Sequence, residues 1–212
     1  MAKDETALEL TPDLILNAYA QGIFPMAESR DDDSLFWLDP QLRGVMPLDQ
    51  FHISKSLRKT IRREPYQIKI DTDFAGVIEG CADREETWIN TQIFSIYMDL
   101  FQAGYAHSVE VWEGDDLVGG AYGVSLMGAF FGESMFSRRT DTSKIAMAYL
   151  VSRLKTGGYT LLDTQFLTPH LASMGGIEIP RASYRRALRA ALEVEANFHR
   201  QPQTVSGHQV CI

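Results

Sequence analysis

Three apolar runs separated by short turns lie in the stretch AHSVEVWEGDDLVGGAYGVSLMGAFFGESMF, residues 106–136. The first run is rich in residues that favour β-structure, and the segment Glu113-Gly114-Asp115-Asp116 after it has the composition of a turn. A second turn is expected near Gly128. The pattern predicts an antiparallel meander with strands over residues 106–112, 117–124 and 129–136. Helical patterns occur both before and after this meander, and the combination of meander and helices indicates the fold class.

The flanking helices are predicted from apolar residues at three- and four-residue spacing and from capping residues. We expect helices over residues 12–21, 55–63, 74–82, 91–103, 142–155 and 182–198, a short helix or turn over 169–173, and further strands over 36–38, 66–71 and 159–166. This mixture predicts an α+β (mixed α/β) fold with a central mixed β-sheet.

Pro65 ends the second predicted helix, and a domain boundary is expected there. Residues 1–63 would form a small N-terminal domain and residues 64–212 a larger domain. Residues 23–26 are expected to be an apolar loop stiffened by Pro25, and the polar tail 201–207 to be loosely held.

The composition is that of a globular protein, with 45% hydrophobic and 23% charged residues in 212. A formal net charge of -8 argues against non-specific coating of nucleic acid, although it leaves room for a local basic patch. The two cysteines form no Cys-x-x-Cys pair, and no histidine cluster has zinc spacing, so no metal site is expected. The N-terminus lacks the order of a signal peptide, and no apolar run approaches the ~20 residues of a membrane helix. We therefore expect a cytoplasmic protein without a membrane partner.

Glu133 lies within the aromatic run Phe130–Phe136, followed by Arg138 and Arg139. Burying a charge among apolar side chains is expensive unless the charge is paired. Either Glu133 points away from its neighbours, or it is held there to meet a positive group. The second alternative suggests a pocket that binds an apolar group and an amine together.

Asp163 and Gln165 are two residues apart on a predicted strand, so their side chains should point to the same side. An ionised Asp163 could accept a hydrogen bond from the Gln165 amide and thereby direct the amide oxygen outward, towards an attacking amine. The alternative is a strand end that simply reaches solvent.

The predicted helix 55–63 carries five basic residues at spacings that put most of them on one face: Lys55, Arg58, Lys59, Arg62 and Arg63. Such a face in an acidic protein can follow a phosphate backbone, or it can be an ordinary solvated surface. Trp37 and Trp88 lie beside predicted loops, where each could stack on a nucleobase or pack as part of the core.

Other chemistries have weaker support. Ser134 and Ser137 are not part of a Gly-x-Ser-x-Gly motif, so a covalent serine mechanism is not favoured. The segment 138–143 lacks the glycines with which a helix N-terminus binds pyrophosphate, which argues against coenzyme A.

In combination, these segments resemble the leucyl/phenylalanyl-tRNA–protein transferases. The matching runs, in order, are YAQGIFP (19–25), HISKSL (52–57), VIEGCA (77–82), ETWI (86–89), AHSVEVW (106–112), LVGG (117–120), FGESMFSR (131–138) and IPR (179–181). Each run alone is modest, whereas their order and spacing together are specific. The resemblance covers roughly residues 10–190.

The resemblance implies a small N-terminal domain and a catalytic domain like the GCN5-related N-acetyltransferases, acting on aminoacyl-tRNA without a cofactor. Leucyl- or phenylalanyl-tRNA would donate its amino acid, with methionine an additional candidate, to proteins that begin with Arg or Lys. This addition would mark those proteins for degradation through the N-degron pathway. A monomer is expected.

By position, Glu133, Asp163 and Gln165 would be the catalytic residues, with Glu133 binding the ammonium of the aminoacyl group. Trp37 and Trp88 would flank the terminal adenosine, and the basic helix would follow the tRNA acceptor stem. The amino-acid pocket would be formed by Ala121, Phe130, Leu150 and Leu154. Ala121 stands where the family suggests a larger apolar residue, so a roomier pocket is expected.

Two alternatives remain at this point. A coenzyme A-dependent N-acetyltransferase would be stabilised by acetyl-CoA. A non-catalytic RNA-binding or N-terminus-binding module would bind tRNA without releasing its amino acid.

Overall fold

A computed structural model describes residues 10–32 and 34–211. Its helices are α1 (Pro12–Ala20), α2 (Lys55–Arg63), α3 (Phe74–Ala82), α4 (Thr91–Gln102), α5 (Thr142–Gly157), α6 (Pro169–Ala172), α7 (Arg181–Leu192) and α8 (Gly207–Val210). Its strands are β1 (Phe24–Ala27), β2 (Leu35–Leu38), β3 (Leu42–Val45), β4 (Gln67–Ile70), β5 (Ala106–Glu113), β6 (Asp116–Leu126), β7 (Ala129–Ser137), β8 (Leu161–Gln165) and β9 (Ile177–Pro180). Short 3₁₀ turns occur at Leu48–Gln50 and Phe198–Arg200.

The main sheet has seven strands in the order β4-β5-β6-β7-β8-β3-β9. Every neighbouring pair is antiparallel except β7 and β8, which run parallel. The predicted meander is therefore confirmed as β5-β6-β7, and the α+β class with a central mixed sheet is confirmed with it. A separate hairpin is formed by β1 and β2.

Helices cover both faces of the sheet. Successive residues of a strand point to opposite faces, so neighbouring side chains enter different cores. Phe130 packs in the core that contains α5 and α2, whereas its neighbour Phe131 packs in the core that contains α1, α3, α4 and α7. Both phenylalanines are 0% exposed. The sheet thus separates two apolar layers, and a side chain on β7 reaches one or the other.

Helix starts follow the capping residues in the sequence. Thr11, Ser54 and Asn90 each accept a hydrogen bond from a backbone N–H in the first turn of α1, α2 and α4. The expected helix 55–63 agrees with α2 at both ends.

Three strands, β1, β3 and β9, lie where none was expected. Residues 24–27, predicted to be a loop, form β1, in which Pro25 lies opposite Trp37 of β2. β3 inserts between β8 and β9 and is antiparallel to both. Each of these strands has four residues, too few to display alternation in the sequence.

The C-terminal tail is packed, which corrects the expectation that it is loosely held. Gln201 is buried, and its Nε2 donates to Ser152 Oγ at 2.9 Å. Arg153 donates to the carbonyl oxygens of Phe198, Gln201 and Pro202 at 2.7–2.9 Å. These bonds fasten the tail to α5. The last long helix, expected to reach residue 198, ends instead at Leu192.

The expected boundary near residue 63 remains a prediction. β3, which precedes it, belongs to the main sheet. Within the described ranges 10–32 and 34–211, no helix combines the length and the apolar character needed to cross a bilayer.

Candidate active site

A bulge in β7 directs the side chain of Glu133. Across the β6–β7 ladder, Tyr122 pairs with Ser134 and Gly123 pairs with Gly132, so Glu133 is the extra residue between them. A bulge of this kind re-aims the side chain that it contains and is common beside active sites. On the other edge of β7, the parallel ladder with β8 ends at the pair Phe131–Asp163. Glu133 lies just beyond this point, where β7 continues without a ladder to β8.

Glu133 is 9% exposed and accepts three hydrogen bonds from neutral donors. Tyr19 Oη donates at 2.6 Å, Tyr97 Oη at 2.7 Å and Gln165 Nε2 at 3.0 Å. Burial raises the pKa of the carboxyl from its usual value near 4.5 to about 7, although the three hydrogen bonds lower it in part. The residue is therefore held in place without a cation: among the described residues it forms no salt bridge.

Asp163 forms a buried ion pair with Arg43 of β3. Arg43 Nη2 lies 2.7 Å from Asp163 Oδ2, and the side chains are 1% and 0% exposed. Tyr184 Oη donates to the same carboxylate at 2.6 Å. The Arg43 guanidinium lies between the rings of Phe24 and Tyr184, 4.5 and 4.4 Å from their centroids. Asp163 is thus paired with a cation on the side of β3 and α7.

The contact expected between the Asp163 carboxylate and the Gln165 amide group is not formed. Asp163 Oδ1 instead accepts a hydrogen bond from the Gln165 backbone N at 2.8 Å, while the Gln165 amide donates to Glu133. The reason is local geometry: Gln165 has φ 62°, in the left-handed region, so the two-residue strand period does not apply to it. No described residue donates to Gln165 Oε1, which leaves this oxygen available as an acceptor.

A cavity of about 60 Å³ lies beside Glu133. It is lined mainly by apolar side chains, which include the predicted Ala121 and Leu150 together with Met135, Met147, Leu162 and Leu171. The hydroxyls of Tyr122 and Thr164, two further lining residues, have no hydrogen-bond partner in the part of the chain that the structure describes. Phe130 and Leu154 are fully buried and do not line this cavity; Phe130 stacks on Phe198 with ring centroids 5.6 Å apart.

The two tryptophans lie on segments that are tied together. Trp37, on β2, is 38% exposed, and Trp88 is half-buried just before the cap of α4. The cap residue Asn90 donates through Nδ2 to the carbonyl oxygen of Asp32, at 2.7 Å. This bond links the loop before Trp37 to the loop after Trp88.

The basic helix α2 buries Leu57 and Ile61 and exposes its charged residues. Lys55, Arg58, Lys59, Arg62 and Arg63 are all exposed. None of them forms a salt bridge with a described acidic residue. The face is therefore available to an anionic partner.

Four site residues were not found from the sequence: Tyr19, Tyr97, Arg43 and Tyr184. The two tyrosines that donate to Glu133 occur at ordinary core positions of α1 and α4, and their spacing predicted only helix faces. Arg43 and Tyr184 lie 141 residues apart and meet only in the folded chain. A buried tyrosine needs a partner for its hydroxyl, and this general rule is the one signal that could have pointed to such a role.

Comparison with known sequences gives consistent matches. The profile described as leucyl/phenylalanyl-tRNA protein transferase matches residues 45–189, and the profile for the N-terminal domain of the same proteins matches residues 9–41. Leucyl/phenylalanyl-tRNA–protein transferase from Ruegeria sp. (strain TM1040) is 64% identical over 191 residues, covering 90% of this chain and 91% of the relative. The protein of the same name from Maricaulis maris (strain MCS10) is 57% identical over 199 residues, covering 92% of each chain.

Among solved structures, L-PGS from Bacillus licheniformis aligns with a TM-score of 0.41 and 14% identity, covering 71% of this chain and 51% of that one. A C-terminal DUF2156 domain from Agrobacterium fabrum aligns with a TM-score of 0.44 and 12% identity, covering 92% and 73%.

Proposed function

Because the chain belongs to the leucyl/phenylalanyl-tRNA–protein transferase family and is an aminoacyltransferase, we propose that it transfers leucine or phenylalanine from charged tRNA to the α-amine of proteins that begin with Arg or Lys. Methionine is an additional candidate donor. The observation that carries this proposal is the carboxylate of Glu133, which is buried beside an apolar cavity and forms no ion pair within the described part of the chain. The two features match the two ends of an aminoacyl group, its ammonium and its apolar side chain.

The cavity receives the side chain of the amino acid, with Ala121 and Leu150 in its wall. The Glu133 carboxylate binds the ammonium, which supplies the positive partner that this carboxylate does not have among the described residues. The free energy by which an apolar pocket discriminates between side chains that differ by one methylene is only about 1–3 kcal/mol. We therefore expect the pocket to accept both Leu and Phe.

The reaction is aminolysis of an ester. The amine of the acceptor protein attacks the ester carbonyl carbon, a C–N bond forms, the C–O bond to the tRNA ribose breaks, and the proton from the amine passes to the departing ribose oxygen. Gln165 Oε1 accepts a hydrogen bond from the attacking amine and orients its lone pair. An aminoacyl ester is already activated, so positioning and electrostatic stabilisation suffice without a cofactor or a covalent enzyme intermediate.

Asp163 acts through Gln165. Its Oδ1 holds the Gln165 backbone N, while Glu133 holds the Gln165 amide, so the free oxygen of that amide has a fixed direction. Arg43 and Tyr184 in turn hold Asp163. Asp163 is thus a positioning residue in this scheme.

The tRNA is held at two places. Trp37 and Trp88 flank the terminal adenosine, where stacking on one base is worth roughly 1–3 kcal/mol. The basic face of α2 follows the acceptor stem through its phosphates and reads shape rather than sequence. Because the whole chain carries -8, the affinity depends on this local face and falls steeply with salt.

The proposed cellular role follows from the identity of the acceptor, a protein that begins with Arg or Lys. Charged tRNA and new protein N-termini are present in the cytoplasm, where the enzyme acts as a monomer. Addition of Leu or Phe there marks the acceptor protein for the N-degron pathway.

The deciding experiment incubates the full chain with labelled leucyl-tRNA and peptides that begin with Arg, Lys or Ala. Transfer to the Arg and Lys peptides but not to the Ala peptide supports the proposal. Equal transfer to Ala would contradict the acceptor specificity. Binding of tRNA without any transfer would indicate a binding module instead, and stabilisation by acetyl-CoA would indicate an acetyltransferase.

A further inference from the structure

Three side chains from distant parts of the sequence meet beside the C-terminal segment. Asp71 follows β4, His107 lies on β5, and His199 lies in the 3₁₀ turn Phe198–Arg200. His107 Nδ1 is 2.8 Å and His199 Nε2 is 3.6 Å from Asp71 Oδ2, and the three donor atoms all lie within 4.8 Å of one another. None of the three belongs to the proposed active site.

The surrounding contacts hold two of these side chains in place. Asp71 has φ 57°, a conformation that costs free energy for a residue other than glycine, and its Oδ1 accepts a hydrogen bond from Ser108 N at 2.6 Å. The imidazole of His107 is stacked on the ring of Phe198 with centroids 4.1 Å apart. His199 follows Phe198 directly and is the most accessible of the three, with its side chain 53% exposed.

We propose that Asp71, His107 and His199 form a binding site for a divalent transition-metal ion such as Zn²⁺, which fastens the C-terminal segment to the main sheet. Two imidazole nitrogens and one carboxylate oxygen are a donor set that suits Zn²⁺, Co²⁺ or Ni²⁺ and does not suit Mg²⁺ or Ca²⁺, which prefer oxygen ligands. Solvent completes the coordination on the exposed side of His199.

The geometry requires a small adjustment. Two donors that each lie about 2.1 Å from one ion are at most ~4.2 Å apart. The exposed ring of His199 therefore moves inward by on the order of 1 Å, while the hydrogen bond between Asp71 and His107 opens to admit the ion.

One nearby charge works against the ion. Arg153 donates to the carbonyl oxygens of Phe198, Gln201 and Pro202, which places its guanidinium beside the segment that carries His199. The carboxylate of Asp71 offsets one positive charge. We therefore expect the site to bind more weakly than a structural zinc site with thiolate ligands.

The test uses the untagged full chain, stripped with EDTA and titrated with ZnCl₂ in a calorimeter and by thermal unfolding. One Zn²⁺ per chain is expected, with a rise in Tm of about 5–10 °C when zinc is 100 times its Kd. MgCl₂ should give no such rise.

Two variants probe the ligands, and a third serves as control. His199→Ala removes an exposed ligand whose ring meets the buried rings of His107 and Phe198 only edge to face. Asp71→Asn tolerates the left-handed backbone conformation and keeps the acceptor for Ser108 N. Both should lose the zinc-induced rise in Tm. His208→Ala, which removes another exposed histidine of the C-terminal segment, should retain it. Absence of the rise in the unmodified chain, or an equal rise in all variants, would overturn the proposal.

Discussion

Arg43 and Asp163 form a buried ion pair across the β3–β8 boundary, with Nη2–Oδ2 at 2.7 Å and Nε–Oδ1 at 2.9 Å. The two residues are 120 positions apart in the sequence. The pair fixes β8 against β3 at the point where Gln165 leaves the strand. It therefore connects the stability of the fold to the position of the proposed catalytic amide.

Replacing Asp163 with Ala should destabilise the protein by about 3–5 kcal/mol, because it leaves the Arg43 guanidinium buried without its counter-charge. Urea unfolding measures this change. The double variant Arg43→Met with Asp163→Leu should recover most of the stability while turnover stays low, because the Gln165 backbone N still lacks its acceptor. We expect tRNA binding to change less than turnover. A double variant that loses as much stability as the two single changes added together would contradict the pairing.

The stability of the protein should depend on pH through Glu133. Its pKa is about 7 in the folded chain and near 4.5 in the unfolded chain, so between these values the folded protein holds a proton that the unfolded chain has released. The contribution of Glu133 to the free energy of unfolding therefore falls as pH rises from 4.5 to 7, by on the order of 3 kcal/mol. Glu133→Gln cannot titrate and should lack this decline. The control Glu193→Gln, which changes an exposed carboxylate, should retain the decline. If Glu133→Gln unfolds with the wild-type pH dependence, the raised pKa of Glu133 is contradicted.

Removing a donor to Glu133 should move the pH profile of transfer. The Tyr97 hydroxyl lowers the pKa of Glu133, so Tyr97→Phe should raise that pKa further and shift the rise of kcat/KM to higher pH. The α-amine of the acceptor also titrates, and comparison of both enzymes with the same Arg peptide removes that effect. Tyr105→Phe, which changes an exposed tyrosine, is the control. An unshifted profile in Tyr97→Phe would show that Glu133 ionisation does not govern transfer.

Charge reversal on the basic helix should weaken tRNA binding and reduce its salt dependence. The double change Arg58→Glu with Lys59→Glu removes two phosphate contacts, so the slope of log K against log salt should fall by about 2. Binding measured at several salt concentrations gives the slope. Arg186→Glu with Arg189→Glu makes the same change in net charge on α7. If both double variants weaken binding equally, the effect belongs to the overall charge and not to α2.

Filling the cavity should change the choice of amino acid. Ala121 is 3% exposed and lines the cavity, so Ala121→Met adds volume where the donor side chain is proposed to lie. Transfer of Phe should fall relative to Leu by about 10-fold or more, as expected for a loss of space of this size. Competition between leucyl- and phenylalanyl-tRNA measures the ratio. Leu150→Met keeps the volume of the wall and should alter the ratio less; an unchanged ratio in Ala121→Met would separate this cavity from amino-acid selection.

The local elements of this protein were determined largely by its sequence. The cap Ser54 and the terminating Pro65 predicted α2 with about its observed bounds, and the apolar runs and turns predicted the β5-β6-β7 meander. These features depend on neighbours within about ten residues, which a sequence displays directly. The matching runs also predicted the family, because their order and spacing are specific.

The arrangement of the site was decided by tertiary structure. A bulge turns Glu133 towards Tyr19 and Tyr97, and a left-handed backbone at Gln165 directs its amide to Glu133 instead of to Asp163. The partner of Asp163, Arg43, is on a four-residue strand that has no pattern of its own. Such contacts are chosen by long-range packing and by the need to satisfy buried polar groups, and neither is encoded in the spacing of nearby residues.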